Sequence, residues 1–151
     1  MELAGEVTQG LFIEGLSGPQ FISPRALARL QQKEKPPTHF WCNALDPISP
    51  CGLGVDWPEL PHRRAQNYLS FYKGELALVI ENNGGRLHFY IDPQDNALDR
   101  ILEPCVHITK FTGKLTVKTI NGELATTSPY LAALSRVLKK RKDHRTVYFE
   151  L

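Results

Sequence analysis

The sequence predicts an α+β domain in which an antiparallel β-sheet is flanked by three helices and preceded by a short hairpin. Residues 67–91 contain three strand-like runs separated by Gly-containing turns, which is the pattern of a β-meander. Three other segments begin with a Ser-Pro or Asp-Pro pair and then repeat apolar residues at helical spacing. With 151 residues, 42% of them hydrophobic and 23% charged, the chain fits one globular domain or a domain with an appendage.

The N-terminal segment predicts a hairpin, a helix and a linker. Residues 5–16 are expected to form two strands around a turn near Gln9-Gly10, because strand-forming side chains are bounded there by glycines. A short amphipathic helix follows, in which Ser23 is a suitable N-cap and Pro24 fits the first turn. Residues 33–37, KEKPP, are polar and end in two prolines, so they predict a linker.

A long loop is predicted between Cys42 and Arg64. This stretch holds four prolines and two glycines, a density that excludes regular helix or a central strand over most of its length. Its apolar side chains favour an ordered loop that packs on the core, with anchors at Trp41, Leu53, Val55 and Trp57.

The meander and the helix after it should form the centre of the domain. In the middle strand, Leu76, Leu78 and Ile80 share one face while Ala77 and Val79 share the other, so this strand should be central and covered on both sides. Asp92-Pro93 then begins a helix whose apolar stripe ends before Pro104.

The C-terminal third is predicted to return to β-structure over residues 105–120. In its KLTVKTI run, one face is apolar and the other is cationic. Asn121-Gly122 is a favourable turn, and Ser128-Pro129 begins a third helix. The basic run KKRKDHR is expected to end that helix, and TVYFEL to close the chain as a strand.

Composition excludes several classes of protein. No stretch approaches the ~20 apolar residues that a membrane-spanning helix needs, and Met1 is not followed by a basic and then an apolar region. Three cysteines do not make a disulfide framework and suit a reducing compartment. We therefore expect a cytoplasmic protein with no membrane contact.

The distribution of charge predicts a polyanionic partner such as a nucleic acid. Residues 38–104 carry five basic and nine acidic side chains, whereas residues 105–151 carry nine basic and three acidic ones. The predicted phosphate contacts are Arg63, Arg64, Lys110, Lys114, Lys118, Lys139, Lys140, Arg141 and Lys142. Tyr68 and Tyr72 share a strand face and are the predicted base-stacking residues. The alternative is that the charges only keep the domain soluble.

Catalytic and metal motifs are weak in this sequence. It contains no G-x-x-x-x-G-K-[ST] phosphate loop, no G-x-S-x-G elbow and no H-E-x-x-H pair. The spacing of His39, Cys42, Cys51 and His62 is not that of a zinc finger, so we expect no metal and no cofactor in this chain. Asp46 and Asp56 are weak candidates for acid–base catalysis, with turn capping as the favoured alternative.

Four collinear motifs resemble one family over nearly the whole chain. GEVTQGLFIEGLSGPQF followed by SPRALARL resembles the end of the last winged-helix unit in bacterial Lhr (large helicase-related) proteins. ALDP at 44–47, YKGELALVIENNGGRLHFY and SPYLAAL are similar to later segments of that family. The resemblance implies a wing-like hairpin and short helix over residues 1–37, left from a winged-helix unit, and a β-barrel-like accessory domain with an antiparallel barrel-like sheet over residues 38–151.

The same resemblance implies a function. Lhr proteins are ATP-dependent superfamily 2 helicases, hydrolases of DNA repair, and their motor domains are absent from this sequence, so the chain is expected to be a piece of a longer protein. The implied role is a DNA-binding accessory domain whose partners are single-stranded or duplex DNA and the motor and winged-helix domains. Similar organisation in AlkZ/YcaQ-type glycosylases raises base excision as an alternative, but their Gln-x-Gln motif has no counterpart here. We expect no catalysis by this chain alone; a protein-docking module is the third alternative.

Overall fold

The computed structural model describes residues 5–15, 17–31, 38–54, 56–142 and 147–151. The predicted linker at 33–37 and the anchor Val55 lie outside these residues. The helices are α1 (Pro24–Gln31), α2 (Leu98–Ile101), α3 (Glu103–Thr112) and α4 (Leu131–Val137). The strands are β1 (Thr8–Gly10), β2 (Gln20–Ile22), β3 (His39–Asn43), β4 (Tyr68–Tyr72), β5 (Glu75–Glu81), β6 (Arg86–Phe89), β7 (Leu115–Val117), β8 (Thr119–Ile120), β9 (Glu123–Leu124), β10 (Lys139–Lys142) and β11 (Val147–Glu150).

The strands form three open sheets, which confirms the α+β class. The sheet orders are β1-β2, β10-β11-β7 and β3-β4-β5-β6-β8-β9. All neighbours are antiparallel except β6 and β8, which run parallel. The described strands do not close into a barrel, so the barrel-like part of the prediction is not confirmed. No described helix is both long and apolar enough to span a membrane.

The N-terminal hairpin is present, but its turn is not where the sequence predicted. β1 pairs with β2 rather than with residues after Gln9-Gly10, so the connection spans residues 11–19. The side chain of Gln20 organises this connection: its Oε1 accepts the amides of Phe12 and Ile13, each at 2.7 Å, and its Nε2 donates to the Ile13 carbonyl. The predicted helix follows as α1, and Ser23 Oγ accepts the Ala26 amide at 3.3 Å.

The predicted meander is confirmed as β4, β5 and β6, with β5 central. One detail of its faces is wrong. The register of β4 against β5 shifts between Ser70 and Phe71, so that Ala77 is the extra residue of a bulge. Leu76 therefore packs on the opposite side from Leu78, and Ala77 joins the side of Leu78.

Two hydrophobic clusters cover the two faces of the six-stranded sheet, as the pattern of β5 predicted. The main cluster includes side chains from α2, α3, α4 and β11, among them Leu98, Leu134 and Phe149. The second lies under the proline-rich loop, where Cys42, Ala44 and Cys51 are buried beside the sheet. The loop is thus ordered over its described residues and packs on the core through Trp57 and Leu60, while Leu53 is 52% exposed and does not serve as an anchor.

The prediction that residues 105–120 are all β-structure is wrong for the first eight. Pro104 does not end the preceding helix but occupies the first turn of α3, where a missing amide costs no hydrogen bond. The helix runs on to Thr112 and ends at Gly113, which has a left-handed φ of 81°. The preceding segment at 92–97 is a pair of Asx turns, in which Asp92 and Asp95 each accept an amide two residues ahead.

The basic run after α4 is a strand and not the tail of a helix. Leu138 is extended, with φ −137° and ψ 147°, and Lys139–Lys142 pair with β11. Residues 143–145 of that run lie outside the described residues. The closing strand is confirmed as β11, which lies between β10 and β7.

Candidate nucleic-acid interface

A cationic groove lies between the turn after β5 and the start of β7. It has a volume of about 520 Å³. Its lining combines three basic side chains with amides and hydroxyls, and no carboxylate of the described residues belongs to it. The residues of the cationic groove are Asn82, Asn83, Gly85, Arg86, Thr112, Lys114, Thr116 and Lys118.

A tight turn at residues 82–85 forms one wall of the cationic groove. Asn82 and Asn83 have φ of 54° and 53°, and Gly84 has φ 98°, which favours Asn and Gly over bulkier residues. Gly84 is buried, and a Cβ built there would fall inside the volume of Leu115 Cδ1. The turn can therefore approach β7 closely only with glycine at this position.

The buried side chain of Asn67 ties this turn to the proline-rich loop. Its Oδ1 accepts the Asn82 amide at 3.2 Å, and its Nδ2 donates to the His62 carbonyl at 2.9 Å. The Asn83 amide in turn donates to the carbonyl of Gln66. These three bonds fix the loop that carries Arg64 next to the turn that lines the cationic groove.

Lys118 stands where the chain changes from one sheet to the other. Residues 115–117 pair with β11, whereas residues 119–120 pair with β6. The amides of Lys118 and Thr119 both donate to the Gly85 carbonyl, at 3.0 and 3.3 Å. This corner anchors the Lys118 backbone to the 82–85 turn, and the side chain is exposed in the cationic groove.

The outer face of β7 and β11 extends the cationic groove towards β10. Leu115 and Val117 are fully buried, so Thr116 points outward, as the sequence predicted for the cationic face. Tyr148 lies opposite Thr116 in the register, and Lys114 Nζ lies 5.4 Å from the centre of its ring. A half-exposed aromatic ring thus stands beside the cationic groove with a cation over it.

The predicted basic residues of β10 divide between two faces. Arg141 lies opposite Tyr148, and Lys139 opposite Glu150, so both share the outward face. Arg141 Nε is 2.9 Å from Glu150 Oε2, which leaves its charge partly compensated. Lys140 lies opposite the buried Phe149 and therefore belongs to the other face. The side chain of Lys142 is outside the described part of the structure.

Arg63 and Arg64 have different surroundings although they are adjacent. Arg63 Nη2 donates to the Leu45 carbonyl at 3.2 Å, and its stem packs over Gly52, so it braces the proline-rich loop. Arg64 is exposed and its backbone carbonyl accepts the Asn67 amide. Arg64 is the better placed of the two for a phosphate near the cationic groove.

The two predicted stacking tyrosines lie at opposite ends of β4 and are half-buried against the main cluster. Tyr68 contacts the rings of Trp41 and His107, with centroids 6.4 and 6.3 Å away. Tyr72 lies at the far end of the strand, where Lys73 Nζ is 5.0 Å from its ring centre. Lys110 is exposed on α3, and it does not line the cationic groove.

Of the two weak catalytic candidates, Asp46 occupies a turn. Asp46 Oδ1 accepts the Ile48 amide at 3.0 Å, the Asx-turn arrangement that was the alternative to catalysis. Asp56 is exposed in the same loop. A separate depression of about 430 Å³ beside that loop includes Glu59, Glu81 and Tyr90. Burial, together with those two carboxylates, raises the pKa of Tyr90.

Three of the four residues considered as zinc ligands, Cys42, Cys51 and His39, have other contacts in the structure. Cys42 and Cys51 are buried in the second cluster, and burial together with Asp46 raises the pKa of Cys42 to about 11. His39 Nε2 lies 3.1 Å from Ser70 Oγ, and burial lowers the pKa of its ring against the opposing pull of Glu103. Within the described ranges, no three or more ligand-type side chains form a group able to hold a metal.

Of the eight residues that line the cationic groove, only Lys114 and Lys118 were named as site residues from the sequence. Arg86 follows the NNGG turn directly, and Thr116 lies between two selected lysines, so both had a local signal. Tyr148 could have been found from strand alternation, because Val147 and Phe149 point inward. Thr112 was hidden because its segment was assigned to a strand.

The comparisons with known proteins agree with the motifs. A family model described as "Large helicase-related protein, winged-helix domain" matches residues 1–41. The chain is 31% identical over 98 residues to a Mycolicibacterium smegmatis (strain ATCC 700084 / mc(2)155) protein named "Lhr helicase/ probable uracil glycosylase". That match covers 57% of this chain and only 6% of the relative. The resemblance to the C-terminal region of Lhr helicases is therefore confirmed, whereas neither match bears on the AlkZ-type glycosylases.

Proposed function

We propose that this chain is a nucleic-acid-binding accessory module of an ATP-dependent DNA repair helicase, and that it acts in the cytoplasm beside motor and winged-helix domains supplied by the parent protein. The observation that carries the proposal is the cationic groove. Arg86, Lys114 and Lys118 surround a concave surface that has no carboxylate among the described residues of its lining. The similarity to an Lhr helicase and the winged-helix match at residues 1–41 support the same role.

The chemistry of the cationic groove suits the phosphate backbone more than base edges. Lysine and arginine contacts to phosphates supply affinity without reading sequence, and hydroxyl and amide groups position the strand. Arg86 Nε lies 3.2 Å from Glu81 Oε2, so a phosphate would compete with that carboxylate for the guanidinium. Lys114 and Lys118 are exposed and form no ion pair within the described part of the chain, so they are the main contributors.

A second candidate function is base excision, which the name of the M. smegmatis relative favours. The depression that includes Glu59 and Glu81 offers carboxylates in a concave surface, as such a site requires. Release of uracil from a uracil-containing oligonucleotide by this chain would establish it, and no release would remove it.

Protein docking is the third alternative, and exposed apolar side chains in the N-terminal segment favour it. Leu11, Ile13, Phe21 and Leu30 are large apolar side chains that are more than half exposed. A chain that binds no nucleic acid at low salt would be assigned to docking instead.

Charge reversal in the cationic groove tests the proposal. We expect the double variant Lys114→Glu/Lys118→Glu to bind labelled duplex DNA at least about tenfold more weakly than the wild type at low salt, because two phosphate contacts become repulsive. Fluorescence anisotropy gives the dissociation constants.

Lys73→Glu is the matched control. Lys73 is exposed and sits 5.0 Å over a tyrosine ring, as Lys114 sits 5.4 Å over Tyr148. It lies at the opposite end of β5 from the 82–85 turn, roughly 20 Å away and beyond the Debye length. Because the double variant changes the net charge by twice as much as the control, a control loss half as large on a logarithmic scale would show that only net charge matters and would remove the cationic groove as the site.

A further inference from the structure

Four aromatic rings form a continuous row where α3 crosses the edge of the six-stranded sheet. His107 contacts Trp41 at 5.0 Å, Tyr68 at 6.3 Å and Phe111 at 5.6 Å between ring centroids. We call these four residues the aromatic row. Trp41 lies on the edge strand β3 and Tyr68 on its neighbour β4, so two strands and one helix contribute to it.

Phe111 ends the aromatic row and is 85% exposed. A phenylalanine on a helix that packs against the core is normally turned inward, because burying its apolar ring is favourable. Here the helix already buries Cys105, Ile108 and Thr109 on its inner side. Among the described residues, the Phe111 ring therefore contacts His107 but leaves most of its surface open to solvent.

The charges around the aromatic row favour nucleotides over an apolar protein partner. Lys110 precedes Phe111, and Lys114 follows it by three residues; both are exposed. Thr112, the next residue after Phe111, already lines the cationic groove. The aromatic row and the cationic groove therefore meet at the C-terminal end of α3.

We propose that the aromatic row is a stacking site for unpaired bases of a single DNA strand whose phosphates continue into the cationic groove. Every base has a π-face, so such a site binds single strands with little sequence preference, and duplex DNA, whose bases are already stacked, gains nothing from it. The inference rests on the proposed nucleic-acid-binding function and adds the class of substrate. The sequence prediction of stacking at Tyr68 is kept in part, with Phe111 as the principal platform.

The test compares Phe111→Ala with the wild type on three probes: a labelled oligothymidylate, an abasic oligomer of the same length, and a duplex. We expect the variant to lose about five- to 160-fold in affinity for the oligothymidylate, the range seen when one stacking ring is removed. Its affinity for the abasic oligomer, which has phosphates but no bases, and for the duplex should stay unchanged. Phe111→Trp should retain the wild-type affinity because it keeps a ring.

Ile48→Ala is the control for loss of an exposed apolar side chain, since Ile48 is 66% exposed in the proline-rich loop. Equal binding of oligothymidylate by wild type and Phe111→Ala would overturn the stacking inference. If Lys114→Glu/Lys118→Glu still lost duplex binding, the proposed role of the cationic groove would stand. A wild type that binds none of the three probes at low salt would remove both proposals. A change in oligomeric state of Phe111→Ala without a change in DNA affinity would assign the ring to protein contact.

Discussion

The approach of the 82–85 turn to β7 makes Gly84 the most sensitive backbone position of the cationic groove, and Gly84→Ala tests this. Two costs add up. An alanine at φ 98° is strained by about 1–2 kcal/mol, as for other L-residues in the left-handed region. Its Cβ would also lie 3.0 Å from Leu115 Cγ and closer still to Cδ1, an overpacking that costs about 1–3 kcal/mol. We expect the free energy of unfolding to fall by about 2–5 kcal/mol.

Urea titration followed by tryptophan fluorescence measures this loss, and a double-mutant cycle separates its two parts. Leu115→Val removes both Cδ atoms, so Gly84→Ala should cost less in that background, with only the φ strain and residual crowding left. A loss below about 0.5 kcal/mol, typical of an unstrained surface change, would refute the close approach of the turn to β7. An equal loss in both backgrounds would refute the steric part.

Two further perturbations test the main hydrophobic cluster, to which Cys105 and Tyr130 belong. Burial raises the pKa of Cys105 from 9.0 to about 12, so on raising the pH the thiol ionises first in the unfolded chain. The contribution of the buried thiol to the free energy of unfolding is therefore complete below pH 9 and is lost as the pH rises towards 12. The stability difference between wild type and Cys105→Ala should therefore shrink by up to ~1.4 kcal/mol per pH unit in that window, and a constant difference in urea titrations would contradict it. The Tyr130 hydroxyl donates to the Ile91 carbonyl at 2.6 Å, so Tyr130→Phe should cost about 1–2 kcal/mol in the same assay. Tyr90→Phe, at an exposed ring, should cost almost nothing, and equal effects would show that the hydroxyl contact is not the cause.

Local signals predicted the elements whose geometry is decided by neighbouring residues. The Lys73-Gly74 and Asn121-Gly122 turns have positive φ at both positions, which is what such pairs favour in two-residue hairpins. The strand alternation of residues 114–118 correctly placed Leu115 and Val117 inside. These predictions needed no knowledge of distant parts of the chain.

The errors arose where a local pattern fits two structures. Pro104 is compatible with the end of one helix or the first turn of the next, and the second holds here because Cys105 and Ile108 bury a new apolar stripe. A run of four basic residues contains no apolar side chains whose spacing could indicate helix or strand, so the sequence could not show whether Lys139–Lys142 continue the preceding helix. Its pairing with β11 supplies the missing constraint. The basic side chains of a small edge strand also protect it from pairing with other chains.

The residues of the candidate site were predictable only in part, for the same reason: two of the three cations in its lining were named from the sequence. Lys114 and Lys118 were found because they lie on one strand face, but the contribution of Arg86 depends on the 82–85 turn packing against β7. Lys110 and Lys140, which were predicted to contact phosphates, do not line the cationic groove. Lys110 lies on α3, and Lys140 lies on the face of β10 opposite to that of Arg141. The charge composition predicts the class of partner, whereas the pairing of strands that are distant in sequence decides which basic side chains lie together.

The salt dependence of duplex binding tests the central claim most directly. With Arg86, Lys114 and Lys118 on phosphates, the logarithm of affinity should fall against the logarithm of salt with a slope of about −2.7, a loss of roughly 40-fold between ~50 and ~200 mM. In Lys114→Glu/Lys118→Glu, the slope should be shallower by about 1.8. An unchanged slope in that variant, or no wild-type binding at the lowest salt, would contradict the assignment of the cationic groove as the nucleic-acid interface.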